Sequence, residues 1–353
     1  MRIVVCGTNF GRTYLAALRD APDFRLCGIL ARGSERSQRC AKEYGVPLYT
    51  SPAELPDDVE AACVVVGGRI NGGPGGTIAR QLMARGIHVL QEHPLDEEEL
   101  AECVRDGRRH RVTYRVNSHY VHLPAVTAFV DAARRLLSAG KPIGVEAQTS
   151  FLVLYPLLDI LAAALGRLRP IEFAEAVGPG LFRLATGVVG GVPVAIRVQN
   201  QLDLADRDNG AHLLHRISLY TAGGHLHLAD PAGPVVWYSR LHRPADYDAT
   251  IDIGQSVDAA LDLPLGRVLH PAAASHREVV GTLWPAAVRT AVTQFGTAVV
   301  DGTDPMPHAQ YHLGVARATR QLADRLGPPE LVGSVAPTSL TAYDTLFPKG
   351  EPR

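Results

Sequence analysis

Residues Ile87-His88-Val89-Leu90-Gln91-Glu92-His93-Pro94 decide the fold, because here an apolar run ends in polar side chains. The run follows a helix-like segment at 76–85, which itself follows the apolar segment Ala62-Cys63-Val64-Val65-Val66. Strand, helix and strand at this spacing are typical of a right-handed βαβ unit with parallel strands. A parallel strand delivers its last residues into a ligand crevice at the carboxyl edge of the sheet. We therefore expect His93 to lie at a ligand site.

The chain opens with another unit of the same kind. Residues 2–6 are apolar, as in a strand buried on both faces, and Tyr14-Leu15-Ala16-Ala17-Leu18 has amphipathic helical spacing. The turn between them, Gly7-Thr8-Asn9-Phe10-Gly11, is shorter than the G-x-G-x-x-G fingerprint. Asn9 occupies the place of the second glycine and tolerates a positive φ. We predict that all five turn residues bind the pyrophosphate of a dinucleotide at the helix N-terminus.

The end of the second strand, Leu26 to Leu30, indicates which dinucleotide binds. NAD enzymes usually place Asp or Glu here, to accept a hydrogen bond from the ribose 2′-hydroxyl. This chain instead has Arg32, Ser34 and Ser37, a guanidinium and two small hydroxyls suited to a 2′-phosphate. The local chemistry favours NADPH over NADH. The alternative is a surface loop with solvated arginines.

A loop at 67–76 contains six glycines in ten positions, more than a purely structural turn requires. With few side chains, its backbone can approach a ligand and form nests of N–H groups. We expect this loop to line the nicotinamide side of the crevice through Gly67, Gly68, Gly72 and Gly73.

Beyond residue 122 the pattern changes to consecutive strands, at 145–151, 171–176, 181–189, 192–203 and 217–228. Two of the breaks, Gly190-Gly191 and Gly223-Gly224, have the composition of tight hairpin turns, which predicts a mainly antiparallel sheet. One face of this sheet is apolar. Candidate covering helices lie at 154–165 and 285–300, and cover by a second subunit suggests a homodimer.

The sequence therefore predicts a doubly wound parallel sheet at 1–122, a substrate and dimerisation domain at 123–334 and a C-terminal tail at 335–353. Trp284 and Phe295 are expected in the core. Residues 239–280 are rich in His, Asp and Ala, and are expected to form a long excursion that caps the site or is mobile.

Composition argues against several kinds of function. Lys+Arg of 35 against Asp+Glu of 36 gives a net charge of -1, which offers no electrostatic case for nucleic acid or an anionic membrane. No apolar stretch reaches the ~20 residues that span a bilayer, and the chain opens on a strand rather than a signal peptide, so a cytoplasmic location is expected.

Five scattered cysteines predict neither a disulfide framework nor a zinc site. The pairs His308/His312 and His225/His227 lack an evident third ligand, so no metal is expected.

The motifs together resemble the glucose-fructose oxidoreductase/inositol dehydrogenase (Gfo/Idh/MocA) family, and within it the thiazolinyl imine reductases of yersiniabactin- and pyochelin-type siderophore assembly. The resemblance covers nearly the whole chain. It rests on the first turn and helix, the glycine loop, residues 86–94 and Leu326-Gly327-Pro328-Pro329-Glu330-Leu331-Val332. It implies an N-terminal Rossmann α/β domain and a C-terminal α+β domain with a large, mainly antiparallel sheet covered by helices. Sugar-oxidising relatives carry Lys at the position of His93.

The resemblance implies NADPH-dependent reduction of a thiazoline C=N to a thiazolidine, on a substrate tethered to a carrier domain of a nonribosomal peptide synthetase. Glu92 and His93 are then expected beside the cofactor. His93 and Tyr120 are the two candidates for the acid that protonates the ring nitrogen. A role for His119 or His122, which flank Tyr120, is left as an alternative. Histidine suits proton delivery because its ordinary pKa is about 6.5, whereas tyrosine needs its pKa of about 10 to be lowered.

Two other functions stay open at this point. One is a dehydrogenase or imine reductase that acts on a free small molecule, such as a sugar or a cyclic imine. The other is a non-catalytic NADPH-binding regulator, which would bind the cofactor without turnover.

Overall fold

The computed structural model describes residues 1–178, 180–203, 211–244, 246–249, 251–273, 275–333 and 345. The tail predicted at 335–353 therefore lies, apart from residue 345, outside the described residues. Among the helices of the described ranges, none has both the length and the apolar character needed to cross a bilayer.

The first sheet has six parallel strands. They are β1 (Arg2–Cys6), β2 (Arg25–Leu30), β3 (Leu48–Tyr49), β4 (Ala61–Val64), β5 (His88–Glu92) and β6 (Tyr114–Asn117). The helices between them are α1 (Gly11–Arg19), α2 (Glu35–Tyr44), α3 (Gly75–Ala84) and α4 (Glu97–His110). The strand order β3-β2-β1-β4-β5-β6 reverses direction between β1 and β4. A doubly wound sheet opens its ligand crevice at this reversal, so β1 and β4 locate the crevice, and β5 borders it.

The second sheet has eight strands. They are β7 (Gly144–Ser150), β8 (Ile171–Phe173), β9 (Phe182–Val189), β10 (Val192–Gln199), β12 (His215–Thr221), β13 (Gly224–Leu228), β14 (Val235–Ser239) and β15 (Gly266–His270). Their order is β15-β14-β13-β12-β7-β10-β9-β8, and only the pair of β7 and β10 is parallel. The glycine pairs 190–191 and 223–224 lie at the hairpins that join β9 to β10 and β12 to β13. The predicted fold class, a parallel sheet followed by a mainly antiparallel one, is confirmed.

The other elements connect and cover the two sheets. The short strands β11 (Gln201–Leu202) and β16 (Glu330–Leu331) form a separate parallel pair. The remaining helices are α5 (Pro124–Ala139), α6 (Leu154–Leu165), α7 (His276–Glu278), α8 (Trp284–Val300) and α9 (Met306–Leu326). A π-helical turn, Val279–Leu283, joins α7 to α8.

Helices of the same chain cover the apolar face of the second sheet. Val194, Ile196 and Val198 of β10 are buried there, in one cluster with residues of α5, α6 and α9. The apolar face therefore gives no argument for a second subunit. The homodimer stays a prediction without that support.

The prediction that 285–300 covers the second sheet is wrong. Helix α8 packs instead against the first domain, where Val288, Val292 and Phe295 join the cluster around Tyr14. A close crossing makes this possible, because a Cβ at Gly296 would lie 2.5 Å from Cζ of Phe24. The chain thus returns from its second half to close one face of the first sheet.

The excursion predicted at 239–280 contributes to the second sheet. Within it, β15 pairs antiparallel with β14 and forms the sheet edge. Sequence patterning missed this strand because an exposed edge buries neither face fully, and Val268 is 64% exposed.

Gly7 forms the turn after β1 under a double constraint. Its φ is +93°, and a Cβ there would lie 2.5 Å from the carbonyl oxygen of Val65. We expect Gly7→Ala to lower the free energy of unfolding by roughly 2–5 kcal/mol, since strain in the left-handed region adds to overpacking.

Gly45→Ala is the matched control for this substitution. Gly45 also has a positive φ, of +63°, but a Cβ there would meet nothing within 4 Å. Its loss should be about 1–2 kcal/mol, from backbone strain alone. Urea unfolding of both variants measures the difference, and equal losses would contradict the steric argument.

Candidate active site

The polar site lies where β5 and β6 end. Glu92 is the last residue of β5 and His93 follows it, while Asn117 ends β6. The next turn, a 3-10 helix at His119–His122, places Tyr120 in the same region. The sequence-based expectation that strand ends bring these side chains together agrees with their positions here.

The carboxylate of Glu92 is the centre of a buried hydrogen-bond network. Tyr14 donates its hydroxyl proton to Oε2 of Glu92, and Asn117 Nδ2 donates to the same oxygen over 3.1 Å and to the Tyr14 oxygen over 2.5 Å. The other oxygen, Oε1, lies 3.3 Å from Nε2 of His93 and 3.5 Å from Nδ1 of His119. One oxygen is thus fixed by the scaffold, and the other is directed at two imidazoles.

His93 is neutral at physiological pH. Burial lowers its pKa to about 4, the nearby His119 also lowers it, and the carboxylate of Glu92 only partly opposes this. Because Nε2 faces the Glu92 carboxylate, the single ring proton belongs on Nε2. Nδ1 is then a buried acceptor, and it has no hydrogen-bond partner. The expectation that His93 can carry either charge state is corrected to a neutral imidazole with a defined tautomer.

Tyr120 lies among three histidine rings. Its ring centroid is 4.3 Å from that of His119, 6.2 Å from that of His93 and 5.0 Å from that of His215. Both candidate acids therefore share one site. His122, the other flanking histidine, lies instead on a separate cavity behind them.

Sequence reasoning missed His215, which β12 contributes from the second domain. Its Nδ1 lies 3.1 Å from Oγ1 of Thr149, and its Nε2 is buried without a hydrogen-bond partner. Burial lowers the pKa of His215 to about 3, so this ring is also neutral. No local motif marks His215, because it comes into place only through the pairing of β12 with β7.

A cavity of about 750 Å³, here called the front cavity, opens beside these residues. Its wall includes Trp284, whose ring centroid lies 5.8 Å from those of both Phe10 and His119. Trp284 is half-buried and packs against the core while lining the cavity, so the prediction that it belongs to the core is met in part, whereas Phe295 is fully buried as expected. Trp284 begins α8 directly after the π-helical turn, and Gly281 of that turn also lines the cavity.

The first turn and the start of α1 border the front cavity. Asn9, Phe10, Arg12 and Thr13 line it, so a pyrophosphate there would meet the N-terminus of α1. The turn geometry depends on Gly7 rather than on Asn9. Asn9 does not adopt a positive φ, which corrects the reason for its place in the turn. Thr8 is buried, and Gly11 begins the helix.

The three residues predicted to hold a 2′-phosphate differ in their surroundings. Arg32 and Ser34 are exposed just after β2, and Ser34 caps α2. Ser37 is fully buried, and its hydroxyl donates to the carbonyl oxygen of Ser34 over 2.7 Å. The role predicted for Ser37 does not fit, because its hydroxyl already serves the helix cap.

The glycine loop binds an internal carboxylate. Glu99 of α4, which is 4% exposed, accepts hydrogen bonds from the backbone N–H of Arg69 over 2.9 Å and of Gly76 over 3.1 Å. A Cβ at Gly68 would lie 2.3 Å from Oε2 of Glu99.

Other glycines of the loop pack against the backbone of the loop itself. A Cβ at Gly73 would lie 2.1 Å from the carbonyl oxygen of Gly67. The front-cavity wall contains none of Gly67, Gly68, Gly72 and Gly73. The predicted nest of N–H groups therefore exists, but Glu99 occupies it. The expectation that this loop lines the nicotinamide side of the crevice is not met.

The histidine pairs discounted as metal sites have other contacts. His308 Nε2 lies 3.1 Å from the backbone nitrogen of Val116, and His312 Nδ1 lies 2.8 Å from the Tyr155 hydroxyl. His225 lies on β13, an interior strand of the second sheet. A third grouping was not foreseen, since Glu92, His93 and His119 offer ligand atoms within 4.8 Å of one another.

Two family models match the chain. Residues 1–118 match the oxidoreductase family with an NAD-binding Rossmann fold (GFO_IDH_MocA), and residues 140–238 match the C-terminal domain described as thiazolinyl imine reductase Irp3-like. Residues 1–118 therefore carry a Rossmann domain of the Gfo/Idh/MocA oxidoreductase type, and residues 140–238 a domain of the thiazolinyl imine reductase type. Together the two matches support an oxidoreductase. A comparison with curated proteins finds no significant match.

Solved structures of a dehydrogenase, a ketoreductase and another oxidoreductase share the fold over nearly the whole chain. UDP-N-acetylglucosamine 3-dehydrogenase GnnA from Acidithiobacillus ferrooxidans is 17% identical, with a TM-score of 0.65 over 92% of this chain and 97% of that one. KijD10, a 3-ketoreductase from Actinomadura kijaniata in complex with TDP-benzene and NADP, is 18% identical in its open conformation, with a TM-score of 0.65 over 94% and 98%. An oxidoreductase from Agrobacterium radiobacter in complex with NAD+, L-tartaric acid and magnesium is 10% identical, with a TM-score of 0.66 over 91% and 94%. At these identities the likeness shows the fold alone.

The buried neutral histidines make stability depend on pH. Burial lowers the pKa of His93 and His308 to about 4 and that of His215 to about 3, against about 6.5 in the unfolded chain. Below about pH 6.5 the unfolded state binds more protons, so the stability present above that pH is lost as the pH falls toward 4. Asp159 offsets part of this, because burial raises its pKa to about 6 and the folded state then holds an extra proton.

We expect His215→Gln to flatten this dependence, by up to about 1.4 kcal/mol per pH unit. Urea unfolding at several pH values between about 7.5 and 5 measures the slope. His225→Gln, at a half-buried position on the outer sheet face, is the control and should keep the wild-type slope. An unchanged slope in His215→Gln would show that this imidazole titrates normally.

Proposed function

We propose that the protein reduces a thiazoline C=N to a thiazolidine with NADPH, on an intermediate tethered to a nonribosomal peptide synthetase carrier domain. One observation carries the proposal. A neutral imidazole, His93, ends β5 beside Tyr120, in a chain whose second domain matches the thiazolinyl imine reductase type. An imine nitrogen needs a proton donor at this place, and a basic amine that would deprotonate a sugar hydroxyl is not required.

The front cavity fits a dinucleotide. The N-terminus of α1 opens onto it, and Gly7 keeps the preceding turn free of a side chain. When bound, the cofactor supplies a hydride to the imine carbon. Glu92 orients His93 for that reaction through its Oε1, which lies 3.3 Å from Nε2 of His93.

The proton for the ring nitrogen comes from His93 or Tyr120. His93 is neutral, so as a donor it gives up its Nε2 proton and does not act as a standing imidazolium. Tyr120 lies close enough to share the same substrate atom, with its ring 6.2 Å from that of His93. Both residues stay candidates for the donor.

The shape of the front cavity suits a conjugated ring system on a tether. Phe10, His119 and Trp284 present aromatic edges and faces to it, and such surfaces favour flat aromatic groups. The cavity is open to the surface, which leaves room for a thioester-linked carrier arm.

The decisive test is NADPH consumption with a synthetic aryl-thiazolinyl-thiazoline thioester. We expect turnover, with mass spectrometry showing a thiazolidine. Of the two variants His93→Gln and Tyr120→Phe, the one that removes the proton donor should lower kcat by about 10²–10⁴-fold, because general acid catalysis is lost. NADPH should still bind to both variants. His225→Gln, on the outer face of the second sheet, should keep wild-type rates.

Other outcomes would point to other functions. Polyol oxidation with NADP+ would favour a dehydrogenase of free small molecules. NADPH binding without any turnover would favour a regulator. Equal rates with the free acid and the thioester would argue against a role for the carrier.

The cofactor preference has its own test. Arg32 is the exposed cation at the carboxyl end of β2, where a 2′-phosphate would lie. We expect Arg32→Ala to raise KM for NADPH by about 10- to 100-fold, because a charge-assisted hydrogen bond is lost, and to leave KM for NADH unchanged. Arg25→Ala, at the opposite end of the same strand, is the control. A similar change for both cofactors would refute the 2′-phosphate role.

A further inference from the structure

A second cavity lies behind the catalytic strand ends. This rear cavity has a volume of about 240 Å³ and is bordered by β6, α6, α8 and α9. Its wall is rich in polar side chains, among them Arg115, His122, Asp159, His308, Tyr311 and His312. Arg115 Nε is buried here without a hydrogen-bond partner. A cavity of this size and polarity can hold water, which an apolar cavity would exclude.

Tyr155 of α6 connects the rear cavity to His93. Its ring is parallel to that of His93 at a centroid distance of 5.4 Å and an angle of 7°. On its other side it is parallel to the ring of His312, at 6.2 Å and 4°. The Tyr155 hydroxyl and His312 Nδ1 are 2.8 Å apart, a full hydrogen bond. His312 itself lines the rear cavity, so one polar path runs from that cavity to the ring of His93.

His93 needs such a path. Its Nε2 proton faces Glu92, and its Nδ1 is a buried acceptor without a partner. During reduction, the proposed cofactor and substrate lie in the front cavity beside His93, so the rear cavity offers a separate source of protons. A neutral donor that loses its Nε2 proton must receive another at Nδ1, which is the nitrogen left available.

We propose that Tyr155 and His312 are positioning residues in a proton path that recharges His93 from the rear cavity. As the Nε2 proton passes to the substrate nitrogen, the Tyr155 hydroxyl proton passes to Nδ1 of His93 through one bridging water, since no direct hydrogen bond joins the two groups. His312 returns a proton to Tyr155, and the solvent in the rear cavity returns one to His312. The transfer leaves His93 protonated at Nδ1. When the product leaves, Nε2 takes a proton from solvent in the front cavity, and Nδ1 returns its proton along the path. Over the whole cycle one solvent proton reaches the amine nitrogen and balances the hydride at carbon.

The path depends on concerted transfer through Tyr155. Burial and the nearby Asp159 raise the pKa of Tyr155 well above its ordinary value, so the phenol does not persist as a phenolate. The proton it gives and the proton it receives therefore move together. Replacing Tyr155 with phenylalanine removes the hydroxyl oxygen, the only atom of this side chain that can give and receive a proton.

This inference rests on the role proposed for His93, and its first test compares two isosteric variants. Tyr155→Phe should lower kcat by about 10- to 100-fold with little change in KM, because a proton-transfer step is impaired. The solvent deuterium isotope effect should rise, and the isotope effect of deuterated NADPH should fall toward unity. His312→Ala should behave alike and regain activity with added imidazole.

Tyr311→Phe is the matched control. Tyr311 also lines the rear cavity, but its hydroxyl donates to Asp159 Oδ1 over 2.5 Å and lies outside the path. It should retain wild-type kcat and isotope effects, and thermal unfolding confirms that all variants are folded. Equal kinetics in Tyr155→Phe and Tyr311→Phe would overturn the proton path.

A second measurement separates this inference from the proposed reaction. In the complex with NADP+ and the thiazolidine product, with ¹⁵N-labelled histidine, the exchange of the His93 ring proton with water can be followed by NMR without turnover. Tyr155→Phe should slow this exchange by at least about 10-fold relative to wild type and Tyr311→Phe. The same rate in all three proteins would refute the path even though the proposed reaction takes place.

Discussion

The carboxylate of Glu92 is the interaction on which the site depends. One of its oxygens accepts hydrogen bonds from Tyr14 of α1 and Asn117 of β6, and the other is directed at His93 and His119. Helix, strand ends and the following turn are therefore joined at one buried group. A buried carboxylate is costly unless its lone pairs are satisfied, so this arrangement also orients His93. The tautomer of His93 follows from it.

The two domains meet around that group through elements that are distant in sequence. Helix α8 returns from the second half of the chain to cover the first sheet, and its first residue, Trp284, forms part of the front cavity. From the second sheet, β12 adds His215 behind Tyr120. The site is thus shared between the domains, although Glu92, His93 and Asn117 come from the first.

How much of this was predictable depends on how local each signal is. The end of β5 was predictable, because a buried parallel strand forms an apolar run in the sequence, and the polar residues at its end mark the crevice. Tyr120 followed from the same logic applied to β6. His215 and Trp284 could not be found in this way, since only strand pairing and the return of α8 bring them to the site.

Other errors arose where one pattern has two physical causes. The glycine loop at 67–76 looks like a ligand nest, yet its close approach is to Glu99, and a sequence does not show which carboxylate fills a nest. Ser37 has the right chemistry for a phosphate, but its hydroxyl serves the end of α2. In both cases the residue type indicated a group able to contact an anion, but the sequence did not show which partner that group contacts in the fold.

The π-helical turn at Val279–Leu283 has a consequence for how this enzyme can diversify. Such a turn holds one residue more than an α-helical turn, and each residue rotates a helix by about 100°. Deleting one residue there would rotate the segment before α8 and shift Val280 and Gly281 in the wall of the front cavity, while α8, with Trp284 as its first residue, could stay on the first sheet. This part of the cavity wall is therefore adjustable by single-residue insertion or deletion, independently of the ends of β5 and β6. Related enzymes with other substrates are expected to differ in length at this turn.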